Sequence, residues 1–124
     1  MDYTREMFLR RKLESPITQL VGGGAEIIID LLDDGPEYPH NHVGVVYYTS
    51  PDLETLVAPT GGDVRLEAAL EVTPNKWSVM ACGCFYAKNL GHSSFVGNAI
   101  KVRCTLREIV GATHAKVIIV QDAM

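Results

Sequence analysis

Three histidines carry the most chemical promise in this chain. Pro39-His40-Asn41-His42 sets two imidazoles two residues apart at the head of a Val- and Tyr-rich run. In an extended chain, residues i and i+2 project to one side about 6.7 Å apart, so His40 and His42 could offer both rings to one divalent transition metal. His92 opens a separate segment, Gly91-His92-Ser93-Ser94. Folded over the mouth of the first run, it would complete a three-ligand site with an open position, which is what activation of water or polarisation of a substrate oxygen requires. Asp33, Asp34 and Glu37, just upstream, are further candidate ligands. Without a metal, His92 beside Ser93 or Ser94 could serve as a general base, although no third group is in place to orient it. The competing reading is plain: surface histidines that bind nothing.

A second pattern is the row Lys101, Arg103, Thr105, Arg107. On a strand these side chains share one face, and the three cations would form a stripe able to grip a carboxylate or phosphate ligand. The alternative is an ion ladder, with the cations answered across strands by the wet-face acids Glu67 and Glu71. Cys82, Cys84 and Cys104 are odd in number and lack the CxxC spacing of a thiolate metal site, so they are expected to be reduced, small, buried residues.

These groups need a scaffold. At 124 residues the chain fits one domain, taken as residues 1–124, and can bury about two-thirds of its surface without a disulfide or metal. Hydrophobic residues at 47% and charged residues at 21% exclude disorder. No apolar run is long enough to span a membrane and no signal peptide is evident, so a cytoplasmic protein is expected, with no membrane partner. A net charge of −4 argues against nucleic acid as a partner. The charge is unevenly spread: acids dominate from Gly24 to Val72, where Arg65 is the sole base, and bases dominate after Thr73. Such opposed regions suit pairing within a fold or across a subunit contact.

Residues 1–15 read as a helical segment, with Asp2 as N-cap, Arg10, Arg11 and Lys12 at its C-terminal end and Pro16 as its stop. Residues 25–124 read as a β core of about six strands. Ala25–Leu32 is Ile-rich, and His42–Thr49 is rich in Val and Tyr. Val64–Val72 alternates and returns through Thr73-Pro74-Asn75-Lys76 as Trp77–Tyr86, with Trp77 and Phe85 expected on the inward face. Ile100–Leu106 alternates again, and Ala115–Val120 is apolar. Ser50-Pro51-Asp52 suggests a turn or two of helix through Leu56, and residues 89–98 suggest a loop. The fold class is therefore mainly β: a small antiparallel barrel or sandwich with a short N-terminal helix, or alternatively an α+β fold with an antiparallel sheet.

Two functional expectations follow. One is a small protein that binds a polar or anionic small molecule between the His40–His42 strand mouth and the Gly91–Ser94 segment, with metal-assisted catalysis as its extension. The other is a non-catalytic oligomeric accessory or assembly protein, since a short chain of positive mean hydropathy with an edge strand tends to cover itself with a second copy. Neither pattern decides whether the chain is an enzyme.

Overall fold

The computed structural model describes residues 10–31, 39–49, 52–73, 76–88 and 91–122. Ten strands, all paired antiparallel, build two sheets, and no helix occurs among the described residues. The strands are β1 (Arg10–Glu14), β2 (Thr18–Gln19), β3 (Ala25–Asp30), β4 (His40–Thr49), β5 (Asp52–Val57), β6 (Gly61–Thr73), β7 (Lys76–Tyr86), β8 (His92–Val96), β9 (Lys101–Val110) and β10 (His114–Asp122). The first sheet runs β1-β10-β4-β5, with β2 also pairing β10 and β8 also pairing β4. The second runs β3-β9-β6-β7. The architecture is a sandwich rather than a closed barrel.

Alternation explains which residues meet between the sheets. In β10, Ala115, Val117, Ile119 and Gln121 are buried while their neighbours are half-exposed. In β4, Asn41, Val43, Val45 and Tyr47 are buried likewise, and Tyr48 at the end of the strand is buried as well. Ile27, Ile29, Val64, Leu66, Ala68, Val102, Cys104 and Leu106 answer from the second sheet. At roughly 25 cal/mol per Å² of apolar surface removed from water, this shared layer is the main favourable term in the fold.

All six expected strands form, and the four that sequence patterning does not announce are edge segments. The expected N-terminal helix falls mostly on residues 1–9, outside the described residues. Where it reaches residues 10–14 the chain is strand instead, because Arg10–Glu14 continues the first sheet beside Ile118–Asp122. The short helix expected through Leu56 is also strand over Asp52–Val57. Tyr47 and Tyr48 pair with Val57 and Leu56 there, and Leu53 to Leu56 are exposed, so a helix would have had no face to bury. The segment expected to be a loop at residues 89–98 contains β8, drawn into the sheet by pairing with His40–Gly44.

One end of the sandwich interior is polar. Asn41, fully buried, donates through Nδ2 to the carbonyls of Pro39, Phe95 and Gly97 at 3.3, 3.3 and 3.0 Å. Its Oδ1 accepts from Nε2 of Gln121 at 2.7 Å, and Gln121 Oε1 accepts from Nε and Nη2 of Arg11 at 3.1 and 2.6 Å. These residues stand opposite one another on β1, β10 and β4. The chain of bonds satisfies groups whose burial unpaired would cost about 1–3 kcal/mol each. It also pins Asn41 inward, which sets His40 and His42 on the opposite, outer face.

Candidate functional site

The outer face of the first sheet brings the predicted histidines into one region. His40 and His42 alternate with buried Asn41, and their ring centroids are 6.2 Å apart in an edge-on arrangement. His42 Nε2 lies 3.1 Å from Asp122 Oδ2 on neighbouring β10. β8 pairs His92 with Gly44 and Ser94 with His42, so His42 and His92 are diagonal neighbours on this face. Because Gly44 has no side chain, a shallow concavity of about 280 Å³ opens there, lined by His42, Gly44, Val46, His92, Ile118 and Val120 among others. Its walls are overwhelmingly apolar carbon. Among the described residues no group of three or more His, Cys, Asp or Glu comes together as a metal site. Asp33, Asp34 and Glu37 lie outside the described residues.

The basic row forms a strip on the outer face of the second sheet, and each cation has an acid. Lys101 Nζ is 2.9 Å from Asp30 Oδ1 on β3. Arg103 places both Nε and Nη2 3.1 Å from Glu67 Oε1 on β6, and its guanidinium lies 4.2 Å above the centroid of Trp77. Arg107 Nε donates to Asp63 Oδ1 at 2.7 Å, a bond that holds the guanidinium's pKa above its ordinary value. This is the ion ladder, with Glu67 as expected and with Asp30 and Asp63 as acids that the sequence reading does not name; the Glu71 side chain lies outside what is described. Such pairs at a surface contribute at most about 1 kcal/mol each, but they leave little positive field for an anionic ligand.

The edge of the second sheet departs from the sequence expectation. Cys104 is buried in the core, whereas Cys82 and Cys84 are exposed. Alternation along β7 puts Ala81, Gly83 and Phe85 towards β8 and leaves Cys82, Cys84 and Tyr86 outside, opposite Glu67, Arg65 and Asp63. Gly83 makes room for β8 there, since a Cβ would approach Ser93 Oγ to 3.1 Å. Trp77, expected on the inward face, lies outside under Arg103 instead. The register shifts between Ala68 and Glu71, opposite Val79 to Ala81, and that irregularity reverses the inward and outward parity of the strand.

β7 is also the one long strand whose outer edge has no ladder partner among the described residues. It spans eleven residues and carries no charge from Trp77 to Tyr86. The remaining edges are blunted by the usual means. β1 is Arg-Arg-Lys-Leu-Glu followed by Ser15-Pro16, β3 holds Glu26 and Asp30, β5 holds Asp52 and Glu54, and β8 is five residues long.

A family model matches residues 14–124, from the last residue of β1 through β10. The chain belongs to DUF7265, a domain of unknown function. No curated protein and no solved structure matches it. The DUF7265 match takes in the histidine face, the ion ladder and the β7 edge together, so all three are features of the matched domain rather than of an appended tail. No described helix is long and apolar enough to cross a membrane.

Proposed function

We propose that this chain is a non-catalytic assembly module that associates with a second copy of itself by adding β7 to β7. The observation that carries this reading is the uncharged ten-residue stretch Trp77–Tyr86 along the outer edge of β7, where the other edges among the described residues are charged, short or proline-flanked. A strand edge offers a row of unsatisfied N–H and C=O groups. A second copy related by a two-fold axis presents the same row in reverse order, and it meets no like charge when the strand itself has none.

Sedimentation equilibrium under reducing conditions tests this. Wild type is expected to be dimeric at micromolar concentration. Cys82→Lys is expected to be monomeric and folded: position 82 is exposed and faces Glu67 within its own sheet, so the lysine is tolerated there, yet it puts charge on the pairing edge. A monomeric wild type, or a C82K variant as dimeric as wild type, overturns the reading.

The concavity over Gly44 favours a second reading, binding of a small molecule. Its apolar floor of Val46, Ile118 and Val120 suits an aliphatic body, and His42 and His92 at its rim suit an acidic group. Amide shifts of β4, β8 and β10 on titration with octanoate, lost in His42→Ala/His92→Ala protein, would support it. Unchanged spectra at millimolar octanoate would remove it.

A further inference from the structure

We infer that Cys82 and Cys84 make the β7 association redox-locked, each forming a disulfide with the other cysteine of the partner copy. This rests on the self-association proposed above and adds its register and its regulation.

An internal bridge between the two is excluded by geometry. In an extended strand their Cβ atoms are about 6.7 Å apart, whereas a disulfide needs about 3.5–4.5 Å. Cys104 is no alternative partner, because it is fully buried between the sheets and belongs to the core. Any disulfide made by Cys82 or Cys84 with β7 intact must therefore reach outside this chain. Directly opposed residues of an antiparallel pair have Cα atoms about 4.5–5.5 Å apart, inside the range that a disulfide spans.

The register follows from the strand. Opposed residues share a face, so in a continuous two-fold sheet the axis must pass through a residue rather than between two. Opposed positions sum to twice the number of the axis residue. An axis at Cys82 or at Cys84 sets one cysteine against its own copy and the other against Met80 or Tyr86, and an axis at Ala81 sets neither against a thiol. The axis at Gly83 alone answers both cysteines. It places Cys82 opposite the partner's Cys84 and Cys84 opposite the partner's Cys82, so two bridges form symmetrically.

Each bridge converts two thiols to one disulfide. The two protons and two electrons pass to a low-molecular-weight disulfide such as oxidised glutathione, which departs as two thiols. One thiolate attacks that reagent and expels the first thiol. The opposing cysteine then attacks the mixed disulfide and expels the second.

The experiment compares wild type, Cys82→Ser and Cys84→Ser in reduced and in oxidised glutathione, with sedimentation for assembly and intact mass for covalency. Wild type is expected to give a covalent dimer four hydrogens lighter than two chains, reversible by reductant. Either serine variant is expected to give none while remaining a non-covalent dimer. A wild-type dimer that stays non-covalent in oxidised glutathione sinks the redox lock and leaves the association standing, whereas a monomer in reduced glutathione sinks the association itself. A covalent dimer in Cys82→Ser moves the axis to Cys84 and overturns the register.

Discussion

Two core residues hold polar groups under tension with their surroundings. The Tyr47 hydroxyl is buried with no hydrogen-bond partner among the described residues, and burial, helped by nearby Cys104, raises its pKa well above the ordinary value. Removing an unsatisfied buried hydroxyl while keeping the ring restores about 1 kcal/mol or more. Tyr47→Phe is therefore expected to raise the urea midpoint, and a lowered midpoint would show that the hydroxyl is bonded after all. Burial likewise pushes the Cys104 thiol from its ordinary 9.0 up to about 12. The unfolded thiol loses its proton first, so the native state holds more protons between those values and stability falls as pH rises from 9 towards 12. The slope from this one group is up to about 1.4 kcal/mol per pH unit. Cys104→Ala should be less stable at neutral pH but show a shallower alkaline decline, measured as urea midpoints across that range.

At the scale of elements, the corner where β6 meets β9 is strained. Glu108 has φ 54°, a left-handed conformation that costs a side-chain-bearing residue about 1 kcal/mol. It is the irregular position between the pairs Asp63–Arg107 and Gly61–Val110, and it shifts the alternation so that Ile109 turns inward. Facing it is Gly62, with φ 105°, where a Cβ would come within 2.7 Å of Glu108 O and Ile109 Cα. Glu108→Gly is expected to gain about 0.5–1 kcal/mol, whereas Gly62→Ala is expected to lose more than about 1 kcal/mol. A thermal melt in which Glu108→Gly is destabilised or Gly62→Ala is stabilised would contradict this.

The same scale shows what sequence patterning can carry. Val64 to Val72 and Ile100 to Leu106 declare themselves, because one face of each meets the core and a period of two results. β1, β5 and β8 stay hidden because an edge segment owes its conformation to its neighbour: Leu53, Glu54, Thr55 and Leu56 are all exposed, and nothing local distinguishes them from a turn. Trp77 is a different case. Its side depends on the irregularity near Val79, which reverses the strand before it while Phe85 keeps the inward place that alternation gives it. The approach of His92 to His42 is legible only as an option, since it needs β8 to pair with β4, while of the ladder's acids Glu67 alone is legible from the wet face of β6, Asp30 depending on β3 lying beside β9.

For the molecule as a whole, the first sheet's outer borders are made of pieces. β1 and β2 lie end to end along β10, interrupted at Pro16, and β8 and β5 lie end to end along β4. A rail that breaks midway gives an incoming chain no continuous template, and the β3 rail of the other sheet is short and acidic. Velocity sedimentation at increasing concentration should accordingly show mass levelling off at two chains; a rising ladder of larger species would contradict it. With β7 the single adhesive border among the described residues, such a body is saturated by one neighbour, so growth terminates where a molecule with two such borders would propagate into a filament.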